Sequence, residues 1–416
     1  KRDGIVTNTD IAAHILHFFD IDKVTPMSGH KLQYVQNSDP LGYLLDLNDI
    51  SVFNYRTRAA VVKTFIGCII GVLLLSVVSM VYLKRLAIYI QPLLTAILIT
   101  PTLFLLLPLF NPWSITRLSV SIIITAILSS AVLTYIAKDK LNLFTISCLL
   151  SAGIIVLDTF LKNPLMKVSI FGYDPIAGAR FYGIGNEFMG YLIGTTIIGT
   201  TALVDKYKGH ETTTKLISTI IYGIVLFTLA SPALGTNVGG AMASFISFCT
   251  AIILLFRGKI TLRELAILAI LLVIFLLGLF IYDGLQPSES QSHIGQTSAL
   301  VKQNRAGALL QIFGRKLSMN YKLIRYSNWT LVLLATIGSL GIIFRWPMGI
   351  LKEIFRENKH LYFGFMSGIV GTLSAFAFND SGVVAAAMAM IPITIPLIML
   401  CIDKMAGPNK AIETEE

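Results

Sequence analysis

Residues 172–194 read GYDPIAGARFYGIGNEFMGYLIG. Asp174, Arg180, Asn186 and Glu187 stand here among glycines, and the chain then enters an apolar run. A charged side chain at mid-bilayer costs about 2.5–3.5 kcal/mol, falling toward the interface, so such residues line a cavity or pair with one another. The stretch therefore reads as a polar turn at a membrane boundary that opens a transmembrane helix. It is the first place to look for function.

The rest of the chain agrees with a membrane setting. Of its 416 residues 55% are hydrophobic and only 13% charged, and the mean hydropathy is +0.74, outside the soluble globular range. Lys and Arg number 33 against 23 Asp and Glu, a net charge of +10. In a polytopic chain such an excess belongs first to the loops that hold topology, which sets nucleic acid aside as a partner. Cys68, Cys148, Cys249 and Cys401 all fall in apolar runs, with neither disulfide nor metal-ligand spacing, so no metal and no cofactor is expected.

Apolar length and flanking charge place eleven spans near 59–83, 86–110, 115–137, 142–161, 184–204, 214–232, 237–256, 262–282, 328–345, 360–379 and 381–402. Pro92, Pro101 and Pro108 predict a kinked second span. The fold class is thus an all-α polytopic membrane protein of about eleven transmembrane helices. A polar tail, 1–58, precedes the membrane domain, 59–403, which contains a large loop, 283–327, and is followed by a short tail, 404–416. The loops holding Lys84 and Arg85, Lys138 and Lys140, Lys206 to Lys215, Arg257 to Arg263 and Arg345 to Lys359 are richer in cations than the opposite set. The positive-inside rule then puts the N-terminus outside and the C-terminus in the cytoplasm, although Arg56, Arg58 and Lys63 beside the first span run against that sign.

This orientation collects the unusual polar stretches on the outer face. They are the 172–194 stretch, the turn SPALGTNVGG at 231–240, the loop 283–327 and the turn FNDSG at 378–382, while the cytoplasmic connectors look short, basic and ordinary. Arg180 and Glu187 are seven residues apart, two turns if helical, and suited to pair. The glycines would admit a substrate close to backbone, and an arginine holds phosphate oxygens bidentately; the alternative is a structural ion pair with glycines for helix packing. Asn237 and the amides of 235–240 open the seventh span as an anion site or a small-residue helix contact. Asp380 and Ser381 read as helix caps, or Asp380 as a base or cation ligand. Asp158, inside the fourth span, is expected to face the bundle interior with a partner. In the long loop, Lys302, Arg305, Arg315, Lys316, Lys322 and Arg325 alternate with Leu, Ile and Phe at helical spacing. That describes amphipathic helices on the interface, or arginines closing over a lipid-linked phosphate.

Two resemblances extend this reading. TDIAAHIL at 9–16, followed by MSGHKL at 27–32, resembles the closing segment of alkaline-phosphatase-superfamily domains. The resemblance implies that residues 1–58 end an α/β phosphatase-like domain, a missing N-terminal partner of which this chain would be the C-terminal part. The segment has neither the clustered Asp and His ligands nor the nucleophile of such domains, so phosphate-ester hydrolysis is not expected of this chain. The order of an Arg, then Gly-x-Gly-Asn at 183–186 entering a span, a small-residue turn and a long basic loop is similar to bacterial O-antigen ligases and polymerases, which act on polyprenyl-linked glycans. By that likeness Arg180 and Asn186 match the first motif and Arg305 or Arg315 supplies loop arginines, whereas Glu187 stands where that family tends to carry Pro.

The resulting expectation is a multi-pass protein of the bacterial cytoplasmic membrane that handles a lipid-linked or other anionic envelope substrate at an extracytoplasmic cavity. Arg180, Asn186, Asn237, Arg305 and Arg315 would bind it, with Glu187 and Asp380 as the candidate catalytic carboxylates of a transferase. Membrane lipids are the expected partners. A transporter or flippase, and an anchor for the phosphatase-like domain, are the alternatives.

Overall fold

The computed structural model describes residues 3–21, 29, 31–83, 87–111, 113–178, 181–284, 314, 318–345 and 348–406. Among them the chain is helical, and no strand represents the α/β remnant expected at the N-terminus. Ten helices are long and apolar enough to cross a membrane, or eleven if the bent pair Ser318–Tyr326 and Trp329–Arg345 counts as one span.

In chain order the helices are α1 (Asn8–Phe18), α2 (Pro40–Tyr82), α3 (Gln91–Leu106), α4 (Ile115–Ala137), α5 (Lys140–Phe160), α6 (Asn186–Lys206) and α7 (Glu211–Ala230). They continue with α8 (Val238–Arg257), α9 (Leu262–Gly284), α10 (Ser318–Tyr326), α11 (Trp329–Arg345), α12 (Met348–Glu357), α13 (Lys359–Phe378) and α14 (Gly382–Ala406). The sequence pattern anticipates the spans closely, with one main difference at the start. α2 is one helix of 43 residues that runs through residue 58 without a break, N-capped by the Asp39 carboxylate on the Gly42 amide at 3.0 Å. At 1.5 Å per residue it is about 64 Å long, twice the hydrocarbon thickness, so its first turns project beyond the apolar layer. Of the prolines of the second span, Pro92 opens α3, Pro101 lies inside it and Pro108 falls in the 3₁₀ turn Leu107–Phe110; another 3₁₀ turn, Ala87–Ile90, precedes α3.

α6 and α14 form the centre. All of the apolar window of α14 and 89% of that of α6 are buried, against 11% for α4 and none for α9. Lipid offers no hydrophobic drive between helices, so close approach depends on small residues. Gly190 and Gly194, four apart on α6, meet Ala385 and Ala389 on α14: a Cβ at Gly190 would lie 2.1 Å from the Ala385 carbonyl oxygen. The adjacent residue ties α6 to the other side of the bundle, because the Tyr191 hydroxyl donates to the Leu98 carbonyl at 2.6 Å and meets Ser151 Oγ at 3.1 Å. Thr195, Thr196, Thr200 and Thr201 return their hydroxyls to carbonyls of their own helix, leaving no unpaired hydroxyl among them in the apolar layer.

Replacing Gly190 by Val is expected to split α6 from α14 and to lower the apparent Tm of the detergent-solubilised protein by an overpacking cost of about 1–3 kcal/mol or more. Gly153→Ala in α5, where a Cβ meets nothing within 4 Å, is expected to leave it unchanged. Size-exclusion profiles and thermal denaturation check both.

Candidate functional site

Three turns that lie far apart in the sequence converge at one end of the bundle. The turn before α6 joins the turn before α8 through the Ile184 amide, which donates to the Gly235 carbonyl at 2.7 Å. Gly183, at φ +67°, permits this approach, since a Cβ there would lie 2.2 Å from the same oxygen. Asn237 fastens the junction. Its Nδ2 donates to the Ile184 carbonyl at 2.9 Å and to Asn186 Oδ1 at 3.3 Å, while its Oδ1 accepts the Gly240 amide at 2.8 Å and caps α8. The two candidate binding residues Asn186 and Asn237 are therefore in contact. Thr236, beside them, is held at φ +45°, a region that a β-branched residue enters only at a cost of about 1–3 kcal/mol.

The third turn, between α13 and α14, packs on the start of α8: a Cβ at Gly239 would lie 2.4 Å from Asn379 Oδ1. It is closed by Asn320 of α10, a residue the sequence reading passed over. Asn320 is 3% exposed, donates Nδ2 to the carbonyls of Phe376 at 3.1 Å and Asn379 at 3.0 Å, and accepts the Gly382 amide at 2.9 Å. The first amide of α14, that of Gly382, is thus bonded from another helix. Asp380 lies exposed in this turn. An Asn among the cations of a basic amphipathic segment was the one available signal for Asn320.

The sequence paired Glu187 with Arg180, but among the described residues its partner is Arg58. Nη2 of Arg58 donates to Glu187 Oε1 at 3.0 Å and Nη1 to the Gly172 carbonyl at 3.0 Å, with each side chain of the ion pair 20% exposed. One turn earlier on α2, Asn54 Nδ2 donates to the Val168 carbonyl at 2.9 Å. α2 therefore grips both ends of the segment 168–172. Arg58, which contradicts the charge rule as a topological marker, is explained by this contact. The residues just before that segment are held by Asp158, 3% exposed, whose two carboxylate oxygens accept the amides of Leu165 at 2.8 Å and Met166 at 3.1 Å. These amides are the partner that the sequence left unidentified.

Several of the glycines are filled by protein rather than held open, although at Gly178 a Cβ would meet nothing within 4 Å. Gly172, Gly183 and Gly190 are occupied by protein backbone at Met166, Gly235 and Ala385, which favours the packing reading of that motif. Chemically, the end presents one part-exposed guanidinium and one part-exposed carboxylate above a rigid amide network. The described bonds of Glu187 run to Oε1, and two of the five N–H groups of Arg58 are used. Arg180, Arg305 and Arg315 lie outside the described residues. Of the loop cations, Lys322 and Arg325 are exposed on α10, beside Asn320.

The opposite end is not the ordinary set of connectors expected. Asp205, at the end of α6 and 2% exposed, accepts the amides of His360 at 3.2 Å and Leu361 at 2.7 Å and thereby caps α13. His360 Nδ1 lies 2.9 Å from Asp205 Oδ1 and Nε2 lies 3.1 Å from Glu211 Oε1, while Lys215 pairs with Glu211. Lys404 joins Glu353 at 3.1 Å and Glu357 at 2.7 Å. These contacts lock α6, α7, α12, α13 and α14 together. No group of three metal-ligating side chains occurs among the described residues.

Comparison with protein-family models gives no match, and neither curated proteins nor solved structures give a significant one. The site is therefore read from its own geometry.

Asn237→Ala strands the buried Ile184 carbonyl and the Gly240 amide, and is expected to destabilise the protein by about 2–4 kcal/mol, as two orphaned buried groups at about 1–3 kcal/mol each imply. Asn186→Ala, which loses one long contact, is expected to cost under about 1.5 kcal/mol. Chemical denaturation in mixed micelles distinguishes the two.

Proposed function

We propose that this chain is a multi-pass domain of the bacterial cytoplasmic membrane that holds a lipid-linked or otherwise phosphate-bearing envelope substrate at the end defined by Arg58 and Glu187. The N-terminus and this site face outward. The observation that carries the reading is the Arg58–Glu187 pair, which is one-fifth exposed on each side and borders the junction of three fixed turns. A structural pair can be closed off by apolar neighbours; this one leaves donor capacity on a cation matched to phosphate oxygens. The strain at Thr236 and the exposed cations of α10 lie at the same end and agree with it.

In the transferase version of this role, Arg58, with Arg180 and the loop arginines Arg305 and Arg315, holds a phosphate leaving group. Glu187 takes the proton of the attacking hydroxyl, and Asp380 is the second candidate base. Asn186 and Asn237 position Glu187 rather than touch substrate. The likeness of 9–16 and 27–32 to alkaline-phosphatase-superfamily domains, and of the layout to O-antigen ligases, supports an envelope setting. Against a carrier stands the placement of the ionisable residues. In the described spans other than α2 the Asp, Glu, Lys, Arg and His residues sit near helix ends, and in α2 none follows Lys63, whereas alternating access needs such groups near mid-membrane.

The test is retention of lipid. The protein is purified in nanodiscs formed directly from membranes, and co-purifying phosphate-bearing lipids are quantified by mass spectrometry. Enrichment of one such lipid over the bulk membrane is expected, falling about tenfold in Arg58→Ala and in Arg180→Ala, the scale of one charge-assisted contact. Glu187→Gln is expected to retain the lipid. No enrichment in the wild type, or full retention in both arginine variants, overturns the reading.

A further inference from the structure

We infer that His360 is a proton-dependent pin at the end of the bundle opposite Arg58: as an imidazolium it holds α6 and α7 to the start of α13, and loss of its proton as the pH rises releases α7. Its Nδ1 lies 2.9 Å from Asp205 Oδ1 and its Nε2 lies 3.1 Å from Glu211 Oε1. An ionised carboxylate only accepts, so both ring nitrogens must donate, and an imidazole does that only when it carries the extra proton. Other donors keep the two carboxylates in their accepting form. Asp205 takes the amides of His360 at 3.2 Å and Leu361 at 2.7 Å, and Glu211 takes the ammonium of Lys215.

A neutral imidazole keeps one of these bonds and turns a lone pair toward the other carboxylate. Burial decides which bond survives. The Asp205 side chain is 2% exposed and that of Glu211 44%, so the remaining N–H stays with Asp205, which water cannot reach, and Glu211 is the partner given up to water. The imidazole itself is 12% exposed, which gives its proton a way out. The other charged groups of this end are engaged elsewhere. On α6, Lys206 lies over the ring of Tyr207 at 5.4 Å; in the connector, Lys208 donates to the Glu357 carbonyl at 3.0 Å and His210 is exposed. On α12, Glu353 and Glu357 are paired with Lys404 of α14 and Arg356 is exposed, while Lys359 of α13 lies over the Phe363 ring at 5.7 Å. Among the described residues the ion pair of Asp205 is therefore with His360, and the link from α7 to α13 through Glu211 lasts only while the imidazole is charged.

Amide hydrogen exchange of the whole chain in nanodiscs, read by peptide mass spectrometry from about pH 6 to about pH 9 and corrected for the intrinsic exchange rate, tests the pin. In the wild type the protection of peptides from the start of α7, 211–222, is expected to fall about tenfold as the pH rises, the scale of one charge-assisted hydrogen bond. Peptides around Gly190 are expected to keep theirs. In Glu211→Gln the new amide accepts from a protonated Nε2 and donates to a bare one, so protection is expected to be the same across the range. In His360→Gln it is expected to sit at the lower, high-pH level throughout. Wild-type protection that does not change with pH, a fall that persists undiminished in Glu211→Gln, or an equal fall around Gly190 overturns the inference. Should His360→Gln fail to fold, Glu211→Gln decides alone, since its side chain is nearly half exposed.

Discussion

Everything at the end that holds Arg58 and Glu187 depends on one constraint: a turn that enters the bilayer must have its backbone groups paired by protein, because no water is there to pair them. Asn237 meets that constraint for two turns at once. Through a single amide side chain it satisfies the carbonyl before α6, the amide that opens α8 and the side chain of Asn186. Asn320 does the same for the turn between α13 and α14. With those junctions fixed, Glu187 in the first turn of α6 has a defined position, and Arg58 on the projecting part of α2 reaches it. The part-exposed ion pair is thus the last link of a chain of buried amides.

The two ends of the bundle are joined by the stiffest part of the molecule. α6 and α14 touch through glycine and alanine along their length, and α6 ends at Asp205, which caps α13 beside His360 and Glu211. One end is an amide network with an open charged pair, and the other is a compact set of carboxylates, imidazole and amine. Between them the hydroxyls of the spans bond either to their own helices, as Thr195, Thr196 and Thr201 do, or across to neighbours, as Tyr191 and Ser247 do.

The spans were legible in the sequence because apolar length and helix propensity act locally, and their ends needed only charge and glycine as markers. The convergence of 172–194, 231–240 and 378–382 was legible as a shared face, and the contact between Asn186 and Asn237 made it a shared structure. What could not be read was pairing. Arg180 was the nearest cation to Glu187 in the sequence, yet Arg58, more than a hundred residues away, is the described partner. Its proximity to the first span made it look like a topological charge. The glycines were ambiguous for a similar reason: close approach to backbone is the same property whether the other backbone belongs to a ligand or to α14. His360 and Asp205 were hidden because a polar residue at a helix end is usually solvated, and only tertiary packing buries it.

The account rests most directly on the clamp of α2 to α6, and a double-mutant cycle measures it. Unfolding free energies are determined for wild type, Arg58→Ala, Glu187→Ala and the double variant in one detergent or bicelle system. A direct ion pair gives a coupling of about 1 kcal/mol or more, with the double variant less destabilised than the sum of the singles. Additivity within about 0.3 kcal/mol would show that the two residues act independently and would remove the pair from the site.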